Sequence, residues 1–371
     1  MRTLLLLLPT ALLAAAASAQ KINDIVLKTD GARVRGVEIT EFLLSGVRGK
    51  RGNDAFEIPA HQVQDIEWGD LPESFVAGRA AMQKGDFATA TQMFGDVKSD
   101  RPLVKADAEF FKVKAAVAAA GNDKSAAQTA AEHAKLWLEA NPNNWRTPEA
   151  MLLCGRAERL AGIGGTAATT LKELDDRAVR DGLGAIWSAR AKFELALTLQ
   201  SDGKSSEART QFQSAGSAAE NALGQENANK AELDTLKTLA RVGEGETYLT
   251  EKDFGRAEQF FHSLAGNKEP ALAAAGSAGE GEAIFLSVAG TNRPDDVRRA
   301  QMALARASVL DAAGGEASAK ANYYLGRCLL DLGANREGDS YKQRAQGYFQ
   351  TVTSYSPSSR WAAAARAEAG K

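Results

Sequence analysis

Residues 84–94 read KGDFATATQMF and residues 251–261 read EKDFGRAEQFF. Asp86, Phe87, Ala90 and Phe94 recur at the same spacing as Asp253, Phe254, Ala257 and Phe261. The match lengthens in both directions. Gly78 stands twelve residues before Ala90, and Val97 and Pro102 follow it; Gly245 stands twelve before Ala257, with Leu264 and Pro270 behind. Ala196, Ala208, Phe212 and Ala215 keep the same steps between them. Near the end Gly326 and Leu329, then Ala345, Phe349, Val352 and Pro357, complete a fourth copy after an eight-residue insertion, ANREGDSY. An insertion in a turn is cheap, because loop closure costs grow slowly with length. A unit repeated at this scale, in text of helical period, constrains the chain to stacked helical pieces.

Physics accounts for the residue types. A small residue on a first helix (Gly78, Ala196, Gly245, Gly326) set against a small residue on a second (Ala90, Ala208, Ala257, Ala345) lets two axes approach. Phe94, Phe212, Phe261 and Phe349 then fill the space around the crossing. Gly85-Asp86, Asp202-Gly203 and Lys252-Asp253 mark the turns, and Pro102 and Pro357 are expected to stop second helices. Weaker copies occupy residues 104–142, 148–181 and 272–312.

The pattern resembles the tetratricopeptide repeat, a helix-turn-helix unit of about 34 residues. The resemblance implies a mainly α fold, a right-handed α-solenoid of about seven hairpins over residues 71–371. The family's early tryptophan is absent, with Ser74, Lys192, Arg241 and Asn322 at that place. It also implies a concave groove lined by first helices. That role falls to Phe75, Arg79, Gln83, Arg190, Phe193, Gln200, Glu246, Thr250, Tyr323, Arg327 and Asp331, a mixed polar and aromatic set suited to a protein or peptide partner. The lysine and asparagine set with which some members grip a C-terminal carboxylate is not found. The last unit, from YYLGRCLLDLG to YFQTVTSYSPSSRWAAAAR, resembles terminal repeats of bacterial envelope proteins that assist outer-membrane or cell-wall assembly.

The text before residue 71 differs. MRTLLLLLPTALLAAAASAQ has a basic start, an apolar run and small residues at Ala17-Ser18-Ala19, so residues 1–19 are expected to be a signal peptide cut after Ala19. Gln20, not Cys, follows, which does not fit lipid anchoring. Residues 20–70 are β-rich. DIVLKTDGARVRGVEI centres on Asp30-Gly31, the signal for a tight hairpin with positive φ at both residues. FLLSGV, a tip RGKRGND, AFEIP and VQDIEW follow. Five short strands suit a small five-stranded barrel, resembling the SH3-like or Sm-like barrels. Arg48, Lys50 and Arg51 are expected on its hairpin tip.

Several chemistries find no support. Without the leader the chain carries 44 basic against 47 acidic residues, not the concentrated basic surface that nucleic acid requires. No later segment is apolar enough to span a membrane. Cys154 and Cys328 sit in apolar helical text and are expected to be buried thiols. His61, His133 and His262 have no partners at ligand spacing, so no metal site is expected. Gly203-Lys204-Ser205 lacks the first glycine of a phosphate loop and follows a helix. No catalytic or cofactor-binding residue is assigned. The expected function is an exported, non-enzymatic interaction scaffold, against two rivals: a ligand-binding protein or enzyme with a pocket between barrel and array, and a self-assembling envelope protein. If the register is right, Ala257→Leu overpacks a helix crossing and lowers stability by about 1 to 3 kcal/mol, read as a reduced urea midpoint.

Overall fold

The structure, a computed structural model, describes residues 23–224, 229–334, 340–357 and 359–369. The expected signal peptide and its cut lie outside them. Five strands come first: β1 (Asp24–Lys28), β2 (Arg33–Leu43), β3 (Gly46–Arg51), β4 (Asp54–Pro59) and, after a 3-10 turn (Ala60–Gln62), β5 (Val63–Glu67). They form one antiparallel sheet in the order β4-β3-β2-β1-β5. The long β2 serves two neighbours. Residues 33–37 pair with β1 and residues 38–43 with β3, each ladder carrying a register shift.

Two local expectations are corrected. Of the two residues expected at the turn of the first hairpin, only Gly31 has positive φ, at 84°. Asp30 instead accepts the Ala32 amide on its side chain, 2.9 Å away, and Lys28 bonds both Gly31 and Ala32. That is a three-residue loop with glycine in the left-handed position, where an aspartate capping the turn need not leave the ordinary region. Arg48, Lys50 and Arg51 belong to β3, not to a hairpin tip. Arg48 is neutralised across the sheet by Glu41 at 2.9 Å and Glu57 at 3.0 Å, and Arg51 donates to the Arg35 carbonyl.

Fifteen helices follow among the described residues, seven hairpins and a final helix. The hairpins are α1 (Glu73–Gln83) with α2 (Phe87–Gly95), α3 (Pro102–Ala120) with α4 (Lys124–Ala140), and α5 (Thr147–Ala161) with α6 (Gly164–Arg180). Next come α7 (Ala185–Ser201) with α8 (Ser205–Leu223), α9 (Lys230–Thr250) with α10 (Phe254–Ala265), α11 (Pro270–Val288) with α12 (Pro294–Leu310), and α13 (Glu316–Gly333) with α14 (Ser340–Tyr355). The last helix is α15 (Arg360–Ala369). Each helix packs on the next, and first helices also touch the first helices of adjoining hairpins from α3 to α13. This second row of contacts puts the first helices on the inner side of an α-solenoid.

The repeated letters have the expected local roles at the turn. Gly85 and Gly203 take positive φ, and Lys252 adopts the same conformation at 59°. Asp86 and Asp253 then cap α2 and α10 by accepting the amides of Thr89 and Arg256, each at 3.1 Å. Prolines behave differently from expectation at one boundary. Pro102 lies well beyond the end of α2 and is the first residue of α3, as Pro270 is of α11; that position requires no amide and suits proline's fixed φ.

Packing inside each hairpin also differs in detail. The first-helix glycine meets the second-helix aromatic ring, not the alanine before it. A Cβ on Gly78 would lie 2.9 Å from Phe94, on Gly245 2.5 Å from Phe261, and on Gly326 2.5 Å from Phe349. Gly155 seats Leu171 and Gly281 seats Leu304 in the same way. The ring reaches the following hairpin too, since Phe212 lies 2.5 Å from a Cβ on Gly243 and Phe261 2.4 Å from one on Gly279. The alanines Ala90, Ala208, Ala257 and Ala345 are fully buried beside them.

The β sheet has no core of its own. Val26, Val37, Val47 and Ile66 share one apolar cluster with Phe75, Phe94, Phe110, Trp137 and Ala157. The change at residue 70 is therefore one of secondary structure, not of core. Gly279→Ala tests the ring seat: the added methyl overlaps Phe261, so stability falls by about 1 to 3 kcal/mol despite alanine's better helix propensity. Gly165→Ala on α6, where a Cβ meets nothing within 4 Å, should leave the urea midpoint unchanged or raise it.

Candidate functional site: the inner groove

The groove is built by the first helices, and the sheet fills its N-terminal end. Arg146, 3% exposed, ties the two parts together. Its guanidinium contacts Asp107 of α3 at 2.5 Å and Asp65 of β5 at 2.9 Å, while Trp68 donates its indole N–H to Asp107 at 2.9 Å. Arg79 of α1 also pairs with Asp65 and lies 4.4 Å over the Phe111 ring. Arg101 holds the buried Asp24 of β1 with both terminal nitrogens. Burial works against the charge of Asp65, but Arg146 and Arg79 outweigh it and hold its pKa below the usual carboxylate range. Between sheet and array lies a cavity of about 250 Å3, bordered by His61, Trp145, Trp187, Lys114, Glu149 and Arg190. The indole N–H of Trp145 is buried without a partner among the described residues.

Past α7 the inner face opens. A cavity of about 610 Å3 lies between α7, α9, α11, α13 and the start of α15. Its lining is largely apolar, with Phe193, Leu197, Leu239, Val242 and Leu310 around an alanine face of α11 formed by Ala271, Ala274, Ala275 and Ala278. Leu239 is 45% exposed and Leu310 38%, more than a side chain of a closed core. A smaller cavity of about 220 Å3 shares Phe193, Thr235 and Leu239 and continues toward Leu152 and Arg156.

One end of the large cavity carries an ion cluster. Lys320, buried on α13, bridges Glu246 of α9 at 3.1 Å and Glu282 of α11 at 2.8 Å. Arg360 at the start of α15 reaches the same Glu246 and also Glu316, at 3.3 Å. Tyr324 donates to Glu282 at 2.7 Å. Burial of Glu246 disfavours its charge, yet Lys320 and Arg360 hold its pKa down to about 2.

The residues expected to line the groove divide into groups. Arg79 and Gln83 border a cleft beside β5, Arg190 the junction cavity, and Phe193 and Glu246 the large cavity. Phe75 and Tyr323 are corrected: at 2% and 7% exposure they are core residues. Phe75 packs edge-on against Phe94 and Phe111, and Tyr323 against Tyr324 and Trp361. Gln200 and Thr250 meet each other, 3.4 Å apart. Arg327 donates to the Tyr323 hydroxyl, and Asp331 accepts the Gly290 amide. Lys320, Arg360, Leu239 and the alanine face were not anticipated. Only the alanines had a visible signal, their recurrence at one-face helical spacing.

Two further sequence features can be located. Cys154 and Cys328 are free and buried, and burial pushes each thiol up to about 12. Gly203-Lys204-Ser205 is a helix-helix turn at the start of α8. No group of side chains able to hold a metal occurs among the described residues, and none of their helices is long and apolar enough to cross a membrane.

The fold and groove define a class, an α-solenoid of helical hairpins with an N-terminal sheet seated in its inner face. No family model matches the chain and no curated protein matches it. It is similar to several solved structures. The C-terminal part of a TPR repeat-containing protein from Cytophaga hutchinsonii aligns at 11% identity over 78% of this chain and 98% of that one, with a TM-score of 0.41. A Rap protein complexed with competence and sporulation factor aligns at 13% over 76% and 74%, TM-score 0.43. The apo form of the quorum sensor NprR from B. thuringiensis aligns at 11% over 74% and 86%, TM-score 0.43.

The ion cluster predicts a pH dependence. Glu246 has a folded pKa near 2 against 4.5 for an ordinary glutamate. A lowered folded value stabilises fully above the unfolded pKa and is lost as pH falls toward the folded one. The difference in unfolding free energy between the native chain and Glu246→Gln should therefore shrink between about pH 4.5 and pH 2, with urea titrations at each pH as the measurement. A constant difference across that range would remove Glu246 from the cluster's energetics.

Proposed function

We propose that the chain is an exported, non-enzymatic scaffold of the bacterial envelope that holds a partner protein along the open part of its inner groove. The carrying observation is the apolar cavity of about 610 Å3 on the first-helix face, with Leu239 and Leu310 left partly in water. Contiguous apolar concavities of this size on a folded surface are characteristic of binding sites. The leader-like residues 1–19 support export, and the terminal repeat's resemblance to envelope proteins supports the location. The sheet, barrel-like in its small five-stranded build, serves in this reading to close the N-terminal end of the groove.

Photo-crosslinking in intact cells tests the proposal. A photoreactive residue at position 239 should yield a discrete adduct with one or a few envelope proteins, and one at the convex position 302 should not; Met302 is exposed on α12. Equal labelling from both positions, or none from 239, would refute the reading. A small molecule retained by the purified protein in the junction cavity would favour the ligand-binding alternative.

A further inference from the structure

We infer that the occupant of the open groove is an α-helix with an apolar face, not an extended peptide; this rests on the scaffold reading above. Hydrogen bonding decides between the two. An extended chain brings a donor and an acceptor with nearly every residue, and each must find a partner when buried. The groove has few to give. The floor is helix, whose backbone groups are bonded along α9 and α11 beyond their first turns; the spare amides are those of the first turns that border the cavity, Ala271 of α11 and Glu316 and Ala317 of α13. Of the side chains, Glu246 is held by Lys320 and Arg360, Glu316 by Arg360 and by the Ser359 hydroxyl at 2.6 Å. Asp311 accepts the amides of Gly315 and Ser318, and Thr235 donates to the Ala231 carbonyl at 2.8 Å. Thr238 is the one lining hydroxyl for which no partner is seen among the described residues. An α-helix arrives with its backbone already satisfied and asks only for apolar contact.

The shape agrees. Ala271, Ala274, Ala275 and Ala278 recur at i, i+3, i+4 and i+7; Ala274 and Ala278, each 1% exposed, lie at the bottom of the cavity and Ala271 and Ala275 stand open, so this face of α11 is a trough with no atom beyond Cβ. Small residues at a helix-helix contact allow the backbones to come close. Leu239 and Leu310 are the exposed apolar side chains that flank it. Through Phe193, Thr235 and Leu239 the trough runs on into the smaller cavity, giving the elongated form a helix requires. Charge adds a further condition. Because the cations at the α13 end are paired within the protein, and in the smaller cavity Arg156 is paired with Glu194 and Arg190 with Glu232, the occupant's buried face is uncharged.

The test uses fluorescence polarisation with the purified chain. One labelled 18-residue peptide carries leucines at i, i+3, i+4, i+7 and i+11 on a Lys/Glu/Gln background; a second has two central prolines in an otherwise identical sequence. The first should bind, the second at least tenfold more weakly. Ala275→Trp fills the trough and should weaken the first by tenfold or more, Leu239→Asp should do the same from an exposed position that leaves folding intact, and Met302→Trp should not. Equal binding of both peptides, blocked by Ala275→Trp, would overturn the helical occupant and leave the scaffold reading standing. Displacement of the helical peptide by palmitate at lower concentration than by unlabelled peptide would overturn it in favour of an acyl chain. Binding indifferent to both groove variants, or no binding of the helical peptide, would overturn it as well.

Discussion

The large side chain of a second helix, a phenylalanine on α2, α8, α10 and α14 and a leucine on α6 and α12, pressed on a glycine where a Cβ would not fit, is the contact on which the array depends. Phe261 is the clearest instance. Gly245 of its own hairpin lies on one side and Gly279 of the next on the other, so the same side chain closes one unit and joins it to its neighbour. Phe212 repeats the second half of the arrangement with Gly243. Stability in such an array accumulates through nearest-neighbour interfaces, and here the interface and the unit's own core are one set of atoms. The glycines also bring the first helices together, and their close row makes an inner face that is concave and lined by small residues.

The sheet takes the first part of that face. Its attachment is unusually polar for a core: Arg146, Asp107 and Trp68 are all buried, and Asp65 nearly so. A buried ion pair contributes little net stability over an apolar one, because desolvation offsets the attraction, while loss of one partner is costly. Such a network therefore fixes geometry more than it adds free energy. Arg146 reaches Asp65 and Asp107 only when β5 stands at one position against α3 and α5. The consequence for function is that the N-terminal groove is occupied by the protein itself, and the open length begins near Arg190 and Phe193.

The repeat, the number of hairpins and the β segment were legible in the sequence because they depend on local spacing: glycine, alanine and phenylalanine at fixed steps, and Asp-Phe at the caps of α2 and α10. What was not legible depends on neighbours distant in the chain. Phe75 and Tyr323 stand at first-helix positions that face inward, yet Phe111 covers the one and Trp361 the other, and no local pattern reports a cover supplied by another helix. The same holds for Pro102, read as a stop for α2 when the chain reaches it only to start α3. Nothing local in the sequence marks Lys320 or Arg360. Lys320 is buried, and Arg360 paired though still exposed, because curvature brings α13 and α15 over α9.

That curvature gives Glu246 a double position. It borders the open groove, and through Lys320 and Arg360 it also ties α9 to α13 and α15, with α11 and its alanine face between them. The span from α9 to α13 is the width of the groove at that end. A carboxylate that keeps its charge far below neutral pH holds this width constant under ordinary conditions, and Lys320, buried and held by Glu282 as well, ties α13 to α11 across the same span. On the scaffold reading proposed above, the groove is thus shaped before a partner arrives. Preorganisation of this kind would remove an ordering cost from binding and leave selectivity to shape and apolar match, since the charges at this end are already engaged with one another.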